Sequence, residues 1–218
     1  ESFAGQIPTI LKINSSNSLN DQKYQSINGS VKDALRLGCS AIGFTIYPGS
    51  EYQYDMIEEF REISYEASQY EASQYGLPSV LWSYPRGGNI SKEGETALDI
   101  ISYAAHIAAQ LGAHIIKVKP PGNHLENNGL KKSYDNNKKD FTLLSNRIDH
   151  IKRCAFNKKR IVVFSGGNSK NTDDLLDEIR QINLGGGNGS IIGRNTFQRP
   201  KDEAISLLKN IISIYKNE

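Results

Sequence analysis

Six short apolar runs, rich in β-branched residues and separated by longer helical patterns, restrict this chain more than any other feature. They are Thr9 to Ile13, Ala41 to Tyr47, Ser79 to Tyr84, His114 to Val118, Ile161 to Phe164 and Ser190 to Ile192. Each is bounded by Gly, Pro, Asn or Ser, the mark of a buried strand. Between them the spacing predicts helices over Val31 to Leu37, Met56 to Tyr75, Glu93 to Leu111 and Thr172 to Ile182, with a terminal one from Asp202 to Tyr215. Thr172-Asp173-Asp174 reads as an N-cap with acids in the first turn. Strand and helix in alternation build a parallel sheet covered by helices. With 218 residues, 38% of them hydrophobic, residues 1–218 are read as one domain with one core.

A doubly wound sheet and a closed (β/α)8 barrel both satisfy the alternation. Polar side chains gather where the runs end: Lys12 and Asn14, Tyr47, Trp82 and Tyr84, Lys117 and Lys119, Ser165, Arg194. A barrel carries all its strand C-termini to one mouth, where active sites sit. No Gly-x-Gly-x-x-Gly follows the first run, which argues against a dinucleotide site. The fold expected is therefore α/β, a TIM (β/α)8 barrel. Six runs are two short of eight, and such barrels typically have about 250 residues. The first two strands are accordingly expected to be absent from this chain, leaving an N-terminally incomplete domain.

A net charge of +2 gives no field for nucleic acid or a membrane surface, and no apolar run is long enough to span a bilayer. Cys39 and Cys154 fit no metal spacing and read as reduced thiols of a cytoplasmic protein. His106, His114, His124 and His150 form no ligand pattern, and the acids make no carboxylate cage, so no metal or cofactor is expected. Two segments stand apart. Glu66 to Tyr70 and Glu71 to Tyr75 are a tandem Glu-Ala-Ser-Gln-Tyr repeat, which would rotate one helix face against the other. Asn123 to Asp140 is rich in Asn and Lys and reads as a mobile loop near the mouth.

The sharpest chemical signal is Ile116-Lys117-Val118-Lys119-Pro120-Pro121. Lysines two apart on a strand share a face. Turned into a barrel, a desolvated lysine beside a second cation loses its proton readily, and the neutral amine can attack a carbonyl. The pair read alone fits phosphate binding equally. Trp82 and Tyr84 also share a face, and a tyrosine at the mouth can exchange a proton with substrate; packing explains two such aromatics as simply. Ser165-Gly166-Gly167 and Gly193-Arg194 follow the last two runs. Small residues let backbone N–H groups approach a phosphate, Arg194 adds charge, and phosphate sites recur there in barrels. Lys12 either lines the pocket or caps its strand.

Taken together these motifs resemble the archaeal-type class I fructose-bisphosphate aldolases, barrels related to deoxyribose-phosphate aldolase. The resemblance runs from Ile7-Pro8-Thr9-Ile10-Leu11-Lys12 through Gly43 to Ser50, Trp82 to Gly88, Ser91 to Thr96, Lys117-Val118-Lys119, Ser165-Gly166-Gly167 and Gly193 to Arg199. It implies that Lys119 forms the imine, with Lys117 beside it lowering its pKa. It implies that Tyr84 is proton donor and acceptor, that Trp82 lies beside the substrate, and that Ser165, Gly166, Gly167, Gly193 and Arg194 hold a phosphate. It also implies a cytoplasmic homo-oligomer acting on a phosphorylated sugar. The family carries an aspartate on its first barrel strand, and no position here matches it. Two other readings use the same residues: a related aldolase or transaldolase on another sugar phosphate, and a silent phosphosugar-binding protein.

Overall fold

The computed structural model describes residues 5–69, 76–136, 140–166 and 171–217. Strand β1 (Ile10–Lys12) is followed by β2 (Asn14–Ser15) and β3 (Ser26–Ile27), then by helix α1 (Val31–Arg36) and β4 (Ala41–Ile46). Helix α2 (Gln53–Gln69) leads to β5 (Ser79–Ser83), a 3-10 turn at Gly94–Thr96, and α3 (Leu98–Gln110). Then come β6 (Ile115–Val118), a 3-10 turn at Asn128–Leu130, α4 (Lys131–Asp135) and α5 (Leu144–Cys154). The chain continues through β7 (Ile161–Ser165), α6 (Thr172–Leu184), β8 (Ser190–Ile191), α7 (Arg194–Phe197) and α8 (Lys201–Lys216).

All six expected strands form, and they pair in parallel in the order β1-β4-β5-β6-β7-β8. That order follows the chain without reversal. Joined by right-handed crossovers, the rule for parallel strands, successive neighbours carry their connecting helices on one side, as in a singly wound sheet. A doubly wound sheet reverses direction at a switch point, and this one does not. Strands β1 and β8 each have one partner, so the six-stranded sheet has two free edges among the described residues. A second, two-stranded antiparallel sheet of β2 and β3 was not foreseen from the sequence.

The core lies between sheet and helices. Ile42, Phe44, Leu81, Ile116, Val162 and Phe164 are fully buried there, against Phe60, Ile101, Ile148 and Ile179 of the helices. Helix α1 starts in a capping box, where Ser30 and Asp33 satisfy each other's backbone N–H groups. It ends at Gly38, whose φ of +66° closes the turn.

Four expectations are corrected. Helix α6 is capped by Asn171, which accepts from the Asp174 N–H, and Thr172 is its first helical residue. The helix expected from Glu93 is broken at Ala97, where ψ is 143° and the Leu98 N–H donates to His124 O instead of back along the turn. The Asn- and Lys-rich stretch contains α4, anchored by Tyr134 against Phe141 and His150. Helix α2 begins three residues before Met56. The second half of the pentapeptide repeat lies outside the described residues.

Candidate active site

Side chains alternate along the strands, so the face opposite the helices carries the other half of each run. In register, Thr45, Trp82, Lys117 and Val163 form one row across β4 to β7. Gly43 sits one pleat below. A Cβ there would lie 2.5 Å from Trp82 Cζ3, so the absence of a side chain is what lets the indole lie across β4. Two lysines meet that indole: Lys117 Nζ is 5.3 Å from the ring centroid and Lys12 Nζ is 5.9 Å. Asn14 ties β2 to β4, accepting from the Thr45 N–H and donating to Thr45 O, and it also accepts from Lys12. Gln25 accepts from Lys12 and donates to Tyr47, so the β2–β3 loop is stitched over this end of the sheet.

Beyond that row the strand ends open into a cleft of about 590 Å³. It is lined by Tyr84, Arg86, Glu95, Lys117, Lys119, Ser165, Gly166, Gly193 and Arg194, among others. Lys117 is 8% exposed, and burial pulls its pKa down to about 8. Burial lowers Lys12 to about 8 as well. Lys119 is placed differently, with its Nζ donating to Glu95 Oε2 at 2.9 Å. The cause of the Lys117 shift is desolvation, not a neighbouring charge. Burial would raise the Glu95 carboxyl, but hydrogen bonds from Lys119 and Lys92 outweigh it and hold it below the ordinary carboxylate range. Burial also pushes the Tyr84 phenol well above its usual range, against a hydrogen bond with Ser165 and the nearby Arg86 charge.

The far wall is built by the loops after β7 and β8. Buried Asn195 donates to Gly166 O at 3.0 Å and Arg199 donates to Asn195 O at 2.7 Å, so the two loops are fastened together. Arg194 is exposed at the rim. On the near wall Arg86 stacks on Tyr47 at 5.1 Å, and its buried Nε has no hydrogen-bond partner among the described residues. One cleft thus has guanidinium groups at two places and amines between them.

Of the residues expected at the site, the cleft gathers Lys117, Lys119, Tyr84, Ser165, Gly166, Gly193 and Arg194. Trp82 and Lys12 do not line it; the indole meets the amines of both Lys117 and Lys12. Gly167 lies outside the described residues. Sequence reasoning gave no role to Arg86 or Glu95. Arg86 could have been found by its place two residues after Tyr84, between Pro85 and Gly87. Glu95 could not, because it reads as the first turn of a helix that the structure interrupts. Among the described residues no group of three His, Cys, Asp or Glu is placed to hold a metal, and no helix is long and apolar enough to cross a membrane.

Residues 1–199 match the DeoC/LacD family of aldolases. The chain is similar to a class 1 fructose-bisphosphate aldolase of Thermoproteus tenax, 34% identical over 198 residues that cover 90% of this chain and 64% of that protein. A fructose-bisphosphate aldolase/6-deoxy-5-ketofructose 1-phosphate synthase of Methanocaldococcus jannaschii is 34% identical over 219 residues, 96% of this chain and 62% of that one. The chain thus spans less than two thirds of the length of these curated relatives. A crystal structure of an archaeal fructose 1,6-bisphosphate aldolase superposes with a TM-score of 0.79 at 30% identity, covering 100% of this chain and 77% of the other. Another, of an archaeal fructose-1,6-bisphosphate aldolase with its catalytic lysine covalently bound to the carbinolamine intermediate, gives 0.79 at 30% identity, covering 97% and 72%. On the match over residues 1–199, this chain belongs to the DeoC/LacD aldolase family.

Proposed function

We propose that this chain carries the active site of a class I, imine-forming aldolase that reversibly cleaves fructose 1,6-bisphosphate to dihydroxyacetone phosphate and glyceraldehyde 3-phosphate. The observation that carries the reading is the cleft itself: a desolvated lysine amine and a half-buried tyrosine lie between anion-holding groups at two walls. A bisphosphate needs both. The solved relative that holds a carbinolamine on its lysine supports the same chemistry. We extend the six-stranded sheet to an eight-stranded barrel, since β1 and β8 each offer a free edge. A cytoplasmic homo-oligomer belongs to the same proposal.

The lysine roles are reversed from the sequence expectation. Lys117 is the better nucleophile because near neutral pH a useful fraction of it is the free amine. Lys119, ion-paired to Glu95, serves as a fixed cation. Lys117 attacks the C2 ketone and the carbinolamine loses water. The protonated imine then takes up the electron pair released when the C3–C4 bond breaks. Tyr84 accepts the C4 hydroxyl proton in cleavage and returns a proton to the enamine; hydrolysis frees the second triose phosphate. The raised pKa makes Tyr84 a phenol at rest, suited to donate, and the imine cation formed beside it favours the phenolate needed to accept. Ser165, Gly166, Gly167, Gly193 and Arg194 hold one phosphate, and Arg86 faces the other.

Borohydride reduction in the presence of dihydroxyacetone phosphate, read by peptide mass spectrometry, tests this. A reduced adduct on Lys117 is expected. An adduct on Lys119 alone would restore the first assignment, and no adduct on any lysine would remove the imine mechanism.

A further inference from the structure

We propose that Glu95 is a positioning residue that pins Lys119 as the standing cation of the cleft and so leaves imine formation to Lys117, an inference that rests on the aldolase reading above. The two lysines share a strand end and line one cleft, yet among the described residues a carboxylate meets only Lys119. Glu95 is 8% exposed, and its two oxygens accept from Lys119 and Lys92, each at 2.9 Å. Lys92 is 89% exposed, so its share of the pair is largely screened. The Lys119 side chain is 22% exposed, where loss of a paired carboxylate leaves a poorly hydrated cation. Lys117 has no ion-pair partner among the described residues, and its contact is the neutral face of Trp82.

Local backbone explains why Glu95 reaches the cleft. Gly94–Thr96 forms one 3-10 turn, and the break at Ala97 separates it from α3. Gly94 N–H donates to Ser91 Oγ, and Ser91 is held in turn by Glu126. A continuous helix from Glu93 would not be tied down at these points. The other titratable groups facing Lys119 across the cleft are Tyr84, Arg86, Lys92, Lys117, Glu178 and Arg194. Of these only Glu178 could replace the carboxylate.

Acylation by trace acetic anhydride at pH 8, followed by peptide mass spectrometry, reads each lysine without any need for activity. In the wild type Lys117 should be acylated faster than Lys119; the reverse order overturns the proposal whatever any variant does. In Glu95→Gln, with folding checked by the fluorescence of the single tryptophan, Lys119 acylation should rise about tenfold, the effect of losing one partly buried ion pair. A share of the borohydride adduct should then move to Lys119, and KM for fructose 1,6-bisphosphate should rise more than kcat falls. Glu95→Asp should recover part of each change. In a Lys119→Met background, Glu95→Gln should add little further effect on KM. Unchanged Lys119 acylation and adduct position in folded Glu95→Gln would refute the role of Glu95. An absent adduct in the wild type would refute the aldolase reading alone, since the acylation order is read independently of it.

Discussion

On the helix side of the sheet, Ile42, Phe44, Leu81, Ile116, Val162 and Phe164 are fully buried and apolar. On the other side the same strands present Thr45, Trp82 and Lys117, with Tyr84, Lys119 and Ser165 just beyond. Both faces follow from one alternation of side chains. The helix face gains stability from every residue it buries. The cleft face hides amines that water would solvate better, a penalty that the proposed carbonyl chemistry would require of a neutral amine. Mutations on the two faces should therefore separate folding from function.

The largest effect is expected at Lys117. Lys117→Met should abolish borohydride trapping and aldol cleavage while the protein stays folded, whereas Lys119→Met should keep the adduct. Phe164→Ala, one residue along the neighbouring strand but on the helix face, should do the opposite. It should lower the unfolding free energy by roughly 3–5 kcal/mol in urea titrations and leave the adduct on Lys117 in the folded fraction. If Phe164→Ala abolishes trapping in folded protein, the two faces are not separable.

Tyr84 comes next. Tyr84→Phe should slow turnover roughly 10²–10⁴-fold, the usual weight of one acid–base group, with trapping by dihydroxyacetone phosphate retained because the imine forms without C–C cleavage. Activity within a few-fold of wild type would remove Tyr84 from proton transfer. A smaller loss is expected at the rim: Arg194→Met should raise KM about 10–100-fold, the worth of charge-assisted hydrogen bonds to a phosphate. An unchanged KM would mean that the phosphate rests on the backbone of Gly166 and Gly193 alone.

How much of this was legible in the sequence differs between the faces. Each of the six sheet strands was readable because a strand covered on both faces favours a near-continuous apolar run such as Ile161 to Phe164. The Lys-Val-Lys spacing, the Trp-Ser-Tyr run and the Gly-Arg turn likewise marked the cleft, because chemistry at a strand end needs side chains of those kinds. What stayed hidden was set by contacts distant in sequence. Desolvation of Lys117 depends on Trp82, and Trp82's position depends on Gly43 in a neighbouring strand. The pairing of Lys119 depends on Glu95, brought in by a helix break that a hydrogen bond to His124 stabilises. The β2–β3 pair was missed because two-residue strands leave no periodicity to count.

The smallest effect concerns the penalty itself. Lys117 has a folded pKa of about 8 against an ordinary value of 10.5. Between those values the unfolded chain binds more protons than the folded one, so stability rises with pH through this window. Below pH 8 the penalty is fully present, and above pH 10.5 it is gone. Lys117→Met removes the buried amine, so it should stabilise the protein at pH 7 by roughly 1–3 kcal/mol, and that advantage should vanish as pH rises from 8 to 10.5. Urea unfolding of wild type and variant across this range reads the difference directly. Lys12→Met should behave less favourably, because Lys12 holds hydrogen bonds to Asn14 and Gln25 that methionine cannot replace. If Lys117→Met is destabilising at pH 7, or its advantage is the same at both ends of the window, then Lys117 is held by interactions that stabilise the fold. The cleft face would then follow the same rule as the helix face, and the argument for Lys117 over Lys119 as the nucleophile would lose its physical basis.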